Sequence, residues 1–203
     1  MAKIIIFGGF LGSGKTTILK EFLYYLNNIS ESGKINAAVI ENEIGEYSID
    51  DAILQNQGIS VKTMFSGCIC CTLQTSLIKG IKEIEESYNP EYIFIETTGL
   101  AIPKKIKENL LKYLGKEVTI CTVTDASRWE KLIVGFAGDF IREQLEEADQ
   151  IWINKIDTAD QDFAEKMTQD LNGFNPDAKI LAFSAEKGIE DTVFQDLLKE
   201  AEK

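Results

Sequence analysis

Short apolar runs alternate along the chain with longer segments in which apolar residues recur every three or four positions. The apolar runs predict buried β-strands, and the periodic segments predict amphipathic helices. The predicted strands cover residues 3–7, 35–40, 61–65, 92–95, 118–123, 151–153 and 180–183. The predicted helices cover residues 16–26, 72–87, 103–114, 129–148, 160–171 and 191–201.

Strands that alternate with helices predict βαβ crossovers and therefore an α/β fold. The central sheet is expected to be mostly parallel and flanked by helices on both faces, which gives three layers. The 203 residues suit one domain, and we expect residues 1–203 to form it without a second, C-terminal domain. Ligands of such folds bind beyond the carboxyl ends of the strands, so the residues that follow each strand are the candidate site.

A glycine-rich pattern follows the first predicted strand and opens the first predicted helix. It reads Gly9-Phe-Leu-Gly-Ser-Gly-Lys-Thr16, which matches G-x-x-x-x-G-K-[ST]. Gly9, Gly12 and Gly14 let the backbone curl, so that N–H groups and the positive end of the helix dipole can face phosphates. Lys15 is expected to reach the β- and γ-phosphates, and the Thr16 hydroxyl is expected to bind Mg²⁺.

The segment Asn154-Lys-Ile-Asp157 follows the predicted strand 151–153 and favours guanine as the base. The Asp157 carboxylate can accept hydrogen bonds from the ring N1–H and the exocyclic amine of guanine, a donor pair that adenine lacks. Asn154 is expected to bond the other side of the ring system, and the Lys155 stem is expected to cover one face. After the next strand, a backbone N–H of Ser184 or Ala185 is expected to meet the guanine O6.

Carboxylates follow further strands. Glu96 comes directly after the strand 92–95 and is expected to hold Mg²⁺, usually through water, while Gly99 permits the backbone to approach the γ-phosphate. Glu41 and Glu46 lie in an acidic segment after the strand 35–40, for which a solvated loop is the alternative interpretation. Asp125 ends another strand and is a further residue near the nucleotide, without an assigned role.

These patterns assign one set of residues to the nucleotide and a smaller set to hydrolysis. The residues expected to bind the nucleotide are Gly9, Gly12, Ser13, Gly14, Lys15, Thr16, Thr17, Asn154, Lys155, Asp157, Ser184 and Ala185. The residues expected to act in hydrolysis are Lys15, Glu96 and Gly99.

Three of the four cysteines, Cys68, Cys70 and Cys71, lie in one short segment between a predicted strand and a predicted helix. Clustered thiolates favour Zn²⁺ or Cu⁺, and added oxygen ligands admit Co²⁺. Because the chain has no histidine, further ligands must be carboxylates, water or another chain, and Glu41 and Glu46 are the natural candidates. Buried thiols or a redox pair are the alternative interpretation of the cluster.

The acidic composition limits the partners that the surface can attract. The net charge is −12 and the pI is about 4.6, which argues against nucleic acid and anionic membrane as main partners. No apolar run approaches the ~20 residues of a membrane span, and the N-terminus lacks a cleavage or transit signal, so we expect a cytoplasmic protein. The fourth cysteine, Cys121, lies in an apolar strand and is expected in the core.

Five motifs occur in a set order and together resemble the CobW family of P-loop GTPases, relatives of the nickel-inserting HypB and UreG proteins. The motifs are Gly-Gly-Phe-Leu-Gly-Ser-Gly-Lys-Thr-Thr, Glu-Asn-Glu-Ile-Gly-Glu-Tyr-Ser-Ile-Asp-Asp, Gly-Cys-Ile-Cys-Cys, Glu-Thr-Thr-Gly-Leu-Ala and Asn-Lys-Ile-Asp. The resemblance covers nearly the whole chain. It implies the three-layer P-loop NTPase fold. It also implies GTP or GDP with Mg²⁺ as the bound nucleotide, and Zn²⁺ or Co²⁺ as the metal that the protein carries.

The resemblance further implies slow GTP hydrolysis coupled to metal handling. Cys68, Cys70, Cys71 and carboxylates of the segment 41–46 would form the site that transfers metal to a client metalloprotein or cofactor-pathway enzyme. The relatives often pair, so the resemblance is consistent with a homodimer. Many members carry a second domain and histidine-rich stretches that this sequence lacks, so client recognition or metal storage would reside elsewhere.

Two classes of function are consistent with these residues. In the first, GTP and Mg²⁺ order segments 41–50 and 96–99 around a metal ion, and hydrolysis releases that ion to a client. In the second, the protein is an assembly or activation factor that binds a cofactor-dependent enzyme in one nucleotide state and carries only a structural metal or none. A P-loop kinase that phosphorylates a small molecule is a weaker alternative, because the segment 154–157 favours guanine.

Overall fold

The computed structural model describes residues 2–29, 36–41, 60–63 and 73–203. Its strands are β1 (Lys3–Gly8), β2 (Ala37–Glu41), β3 (Ser60–Thr63), β4 (Tyr92–Glu96), β5 (Val118–Asp125), β6 (Gln150–Asn154) and β7 (Lys179–Ala182). In the described residues they form one sheet of seven strands in the order β3-β2-β4-β1-β5-β6-β7. Every pair of neighbouring strands is parallel, which confirms the predicted α/β architecture.

Helices connect the strands and cover both faces of the sheet. They are α1 (Lys15–Ile29), α2 (Leu73–Tyr88), α3 (Pro103–Leu114), α4 (Trp129–Leu132), α5 (Gly135–Leu145), α6 (Gln161–Phe174) and α7 (Asp191–Glu200). Short 3₁₀ turns at Ala126–Arg128, Ile156–Thr158 and Ala185–Lys187 follow β5, β6 and β7. None of the helices in the described ranges combines the length and the apolar character that crossing a membrane requires.

The prediction of one long helix over residues 129–148 is wrong, because the chain leaves the helical conformation at Val134. Val134 has φ −101° and ψ 146°, which separates α4 from α5. Gly138 then packs so closely on the carbonyl group of Ile133 that a Cβ atom would collide with it. The apolar periodicity continues through this break, so the pattern alone does not reveal it.

The central strands are buried on both faces, as their continuous apolar sequences predict. Ile5 and Phe7 of β1 belong to the core layer under α1 and α7. Ile4 and Ile6 belong to the opposite layer, against α2, α3, α5 and α6. Cys121 is fully buried on the α1 side, as expected, and this burial raises the pKa of its thiol well above the ordinary value.

The centre of the sheet is where the connections diverge. The chain leaves β1 through α1 towards β2, whereas it leaves the neighbouring β5 through α4 and α5 towards β6 on the other side. Open α/β sheets bind their ligands in the crevice formed at such a point. The glycine-rich loop follows β1 and Asp125 ends β5, so both lie at this crevice.

Candidate functional site

The loop between β1 and α1 requires its glycines. The φ angles of Gly9, Gly12 and Gly14 are +128°, +74° and +101°, a region that side chains disfavour. A Cβ atom on Gly9 would collide with the carbonyl oxygen of Val123, and one on Gly14 would collide with the side-chain amide of Asn154. The loop therefore curls as the sequence predicts, and it packs directly against β5 and the end of β6.

Side chains hold five consecutive carbonyl groups of this loop, from residue 9 to residue 13. The contacts are Lys15 Nζ with the carbonyls of Gly9 (2.9 Å) and Phe10 (3.3 Å), Arg128 Nη2 with Leu11 (2.6 Å), Lys155 Nζ with Gly12 (2.8 Å) and Asn154 Nδ2 with Ser13 (2.9 Å). The first N–H groups of α1, at Lys15, Thr16 and Thr17, have no carbonyl four residues earlier inside the helix. A rigid loop followed by a helix N-terminus is an arrangement that binds phosphate.

Two residues predicted to hold Mg²⁺ are in direct contact. Thr16 Oγ1 donates to Glu96 Oε1 at 2.5 Å. Glu96 ends β4, and Glu41 ends the neighbouring β2 as its partner in the parallel register. Both glutamates are buried, with exposed fractions of 5% and 6%. Carboxylate and hydroxyl oxygens brought together in this way suit a hard divalent cation.

The remaining residues predicted to bind the transition metal, Glu46, Cys68, Cys70 and Cys71, lie outside the described residues. Their segments are attached close to Glu41, since Glu41 ends β2 and Thr63, which ends β3, is its register partner. Within the part of the chain that the structure describes, no three cysteine or carboxylate side chains form a metal-binding group. The transition-metal site therefore stays a prediction from the sequence.

Asn154 joins three loops. It is buried, its amide donates to the Ser13 carbonyl, and its Oδ1 accepts from the N–H groups of Lys155 (2.8 Å) and Ala185 (3.0 Å). The predicted contact of Asn154 with the base can use only the second proton of its amide. The Ala185 N–H, which the sequence predicts to meet the guanine O6, already donates to Asn154. Asn154 therefore connects the surrounding loops, a structural role that the sequence does not indicate.

Asp157 lies exposed on the 3₁₀ turn after β6, next to the loop that contains Ser184. The Ser184 side chain holds the pKa of Asp157 below its ordinary value, and the backbone N–H of Asp157 and the charge of Lys187 act in the same direction. The carboxylate is therefore ionised at neutral pH. In that form it offers only acceptors, which is what the two donors on the guanine edge require.

Asp125 is the centre of a charge network that the sequence does not reveal. It is buried and accepts from Ser127 N (3.0 Å) and Oγ (2.5 Å), Arg128 Nε (2.8 Å) and Lys155 Nζ (2.8 Å). Burial alone would raise the pKa of Asp125, but the donors from Lys155, Ser127 and Arg128 hold it below the ordinary value. Arg128 and Lys155 also bind carbonyls of residues 9–14, hereafter called the phosphate loop, so Asp125 supports this loop through both cations.

Asp125→Asn is expected to loosen the phosphate loop. The amide would place an N–H₂ group against the cationic groups of Arg128 and Lys155, and each lost charged hydrogen bond is worth about 1.5–3 kcal/mol. We expect a lower midpoint of thermal unfolding and about tenfold faster release of a fluorescent GDP analogue. Stopped-flow displacement with excess GDP measures that release.

The matched control is Asp139→Asn, because Asp139 also pairs with an arginine three residues later, Arg142, but at an exposed position. Exposed pairs contribute little, so nucleotide release should not change. Equal release rates for Asp125→Asn and the wild-type protein would show that the Asp125 network does not support the loop.

Comparisons with known proteins agree with the fold and the motifs. A family model described as the CobW/HypB/UreG nucleotide-binding domain matches residues 3–182. The chain is 29% identical over 190 residues to the zinc chaperone YjiA of Escherichia coli, which covers 87% of this chain and 56% of YjiA. It is 27% identical over 222 residues to zinc-regulated GTPase metalloprotein activator 1 of Dictyostelium discoideum, covering 88% of this chain and 45% of that protein.

Among solved structures, the hydrogenase maturation factor HypB of Archaeoglobus fulgidus superposes with a TM-score of 0.73 at 20% identity. The match covers 98% of this chain and 89% of the HypB chain. At that identity the likeness concerns the fold. The chain spans about half of the length of YjiA and of the Dictyostelium protein, at 56% and 45%.

Proposed function

The chain belongs to the CobW/HypB/UreG family of nucleotide-binding domains, and we propose that it is a GTPase that delivers a transition metal. In this proposal GTP binding and hydrolysis are coupled to the transfer of zinc or cobalt to a client metalloprotein or cofactor pathway. The observation that carries it is the adjacency of Glu41 and Glu96 at the ends of β2 and β4. Glu96 accepts a hydrogen bond from Thr16, which would bind the nucleotide. Glu41 is followed by the segment that would contribute metal ligands with the cysteines.

In the proposed nucleotide complex the phosphates lie in the loop of residues 9–14, against the N-terminus of α1. The Lys15 ammonium group would move from the carbonyls of Gly9 and Phe10 to the β- and γ-phosphates, a short displacement within the same loop. The Lys155 stem runs towards the loop because its Nζ binds the Gly12 carbonyl, so it can cover one face of guanine. Asp157 would accept the two donors of the base.

Thr16 and Glu96 would hold Mg²⁺, which neutralises charge on the β- and γ-phosphate oxygens when it is bound. The hydrogen bond from the Thr16 hydroxyl to the Glu96 carboxylate brings both oxygens together, which supports this assignment. Gly99 would offer its backbone N–H to the γ-phosphate. The sequence provides no dedicated general base for the attacking water, so we expect slow turnover.

The proposed metal switch uses the neighbouring strand. Glu41, Glu46, Cys68, Cys70 and Cys71 would bind Zn²⁺ or Co²⁺, with thiolates as the soft ligands. Glu41 is the register partner of Glu96. A shift of either strand end on loss of the γ-phosphate would therefore move ligands of both ions. The names of two relatives, a zinc chaperone and a zinc-regulated metalloprotein activator, support zinc as cargo and a client protein as partner. A homodimer and a cytoplasmic location are further parts of the proposal.

The test is an equilibrium titration of the reduced protein with Zn²⁺ and Co²⁺, without nucleotide, with GDP and with a non-hydrolysable GTP analogue. We expect the metal affinity to differ severalfold between the GDP and GTP-analogue states, since coupling between two sites must appear as a change in affinity. Thiolate-bound Co²⁺ gives intense charge-transfer absorption, which identifies cysteine ligands directly.

Two variants complete this test. Cys68→Ser combined with Cys70→Ser should weaken Zn²⁺ binding by at least about tenfold, because thiolates are the stronger ligands. Cys121→Ala removes the thiol that is buried in the sheet and should leave metal binding unchanged. Tight binding that ignores the nucleotide state would instead favour the assembly factor with a structural metal.

A further inference from the structure

The loop after β4 is held by one side chain from a distant helix. Gln144 lies on α5, with 1% of its surface exposed. Its Nε2 donates to the carbonyl of Gly99 at 3.1 Å and to the carbonyl of Ala101 at 2.8 Å. A side-chain amide has two N–H donors, and both donors of Gln144 bind carbonyl groups of this loop.

The same loop lies directly against the phosphate loop. A Cβ atom on Gly99 would come within 2.5 Å of the backbone nitrogen of Leu11, so only glycine permits this approach. The start of the loop is fixed to β1, because Thr97 donates to the Phe7 carbonyl from its N–H at 3.0 Å and from its hydroxyl at 3.1 Å. Gln144 binds the later part of the loop, at the carbonyls of Gly99 and Ala101.

The position of Gln144 is itself well determined. The Thr122 hydroxyl of β5 donates to the Gln144 backbone carbonyl at 3.2 Å, which anchors this turn of α5 to the sheet. Gln144, Thr122 and Gly9 line a common cavity of about 10 Å³ beneath the phosphate loop. Gln144 thus lies under both loops that would surround a γ-phosphate.

The two hydrogen bonds hold the carbonyl groups of Gly99 and Ala101, the residues that flank Leu100. Leu100 is 66% exposed and its side chain is not packed in the core. Without the Gln144 bonds the loop tip would keep the turn in which the Ala101 N–H donates to the Thr98 carbonyl at 3.1 Å, but it would lose its attachment to α5. A loop that is already ordered loses less conformational entropy when a ligand binds to it. In the proposed complex the γ-phosphate would contact this loop, and GDP lacks that phosphate.

We propose that Gln144 is a positioning residue that orients the Gly99 loop for the γ-phosphate and thereby sets the preference for GTP over GDP. This inference rests on the nucleotide-binding function proposed above. Gln144 does not touch the nucleotide in this scheme. It acts through the carbonyls of Gly99 and Ala101, and its effect is confined to the triphosphate state, since GDP makes no contact with the loop.

The test compares Gln144→Met with the wild-type protein by calorimetric titration of GDP and of a non-hydrolysable GTP analogue, each with Mg²⁺. Methionine keeps the length of the side chain but donates no hydrogen bond. We expect the affinity for the GTP analogue to fall about tenfold, because the variant would have to order the loop on binding without these two hydrogen bonds. The affinity for GDP should stay within about twofold, since the loop is not part of that complex.

Gln150→Met is the matched control, because Gln150 is also a fully buried glutamine, on β6, where its Oε1 accepts from Trp152 Nε1 at 2.9 Å. It should leave the ratio of the two affinities unchanged. Thermal unfolding reports whether each variant is folded. If Gln144→Met does not fold, Gln144→Asn keeps an amide that is too short to reach both carbonyls and should change the ratio in the same direction.

An equal loss of affinity for both nucleotides would overturn the proposal, because Gln144 would then merely support the phosphate loop. Unchanged affinities for both nucleotides would overturn it as well. The titration of the wild-type protein tests the proposed function separately from the role of Gln144. If the protein bound adenine instead of guanine nucleotides, the proposed GTPase would fail, and the same comparison with ADP and an ATP analogue would still decide the role of Gln144.

Discussion

Lys15→Met is expected to lower the affinity for GTP by roughly 10² to 10³-fold. The Lys15 ammonium group is buried at the base of the loop, where it now binds two backbone carbonyls. In the complex it would instead make charge-assisted hydrogen bonds to two phosphates, each worth about 1.5–3 kcal/mol. Methionine retains the apolar stem, so the loss reflects the charge and not the packing. Calorimetric titration with GTP analogue and Mg²⁺ measures it.

Hydrolysis should fall further than binding, because charge on the transferred phosphoryl oxygens develops most strongly in the transition state. Single-turnover assays at saturating GTP separate this effect from the weaker binding. Lys20→Ala removes a lysine from the same helix, away from the loop, and should change neither quantity. If Lys15→Met bound GTP as the wild-type protein does, the glycine-rich loop would not be the phosphate site.

The parts of the site that the sequence predicts are those determined by residues close together in the sequence or by the order of strands and helices. The curl at Gly9, Gly12 and Gly14 follows from a short local pattern, and the structure shows a positive φ at each of them. Parallel strands also place their carboxyl ends at one edge, so the contact between Thr16 and Glu96 follows from the fold class. These features need only the order of strands and helices.

The parts that the sequence does not predict depend on residues brought together from a distance. Arg128 is 117 positions from Leu11, and Gln144 is 45 positions from Gly99. An arginine after a strand and a glutamine on a helix have no distinctive pattern, since such residues are ordinarily exposed. The break at Val134 is a different case: the close approach of Gly138 to the Ile133 carbonyl is local, but the apolar periodicity continues through it and does not mark it.

The structure also explains how one sheet could serve two ions. Glu96 ends β4, which borders β1, and Glu41 ends β2, the next strand outwards. Neighbouring parallel strands are ~4.8 Å apart, so the two carboxylates are close enough for a change at one ion to alter the field at the other. In the proposed function, the adjacent strand ends would supply the coupling between the two ions.

Asp157→Asn is expected to change the base that the protein prefers. The Asp157 carboxylate is ionised, because the Ser184 side chain and other neighbours hold its pKa below the ordinary value. Asparagine replaces one acceptor with an N–H₂ group, which would face the exocyclic amine of guanine. Xanthine carries a carbonyl at that position and would pair with the amide instead. We expect the GTP affinity to fall roughly hundredfold and that for xanthosine triphosphate to exceed it.

Competition of both triphosphates against a fluorescent GDP analogue measures this exchange of preference. Asp160→Asn is the matched control: Asp160 is exposed three residues further on and caps α6, and asparagine caps helices as well as aspartate does. It should leave both affinities unchanged. The depressed pKa also fixes the pH dependence, since guanine binding should persist at neutral pH and weaken only below the ordinary range of an aspartate. An Asp157→Asn protein that still preferred GTP would place the base elsewhere.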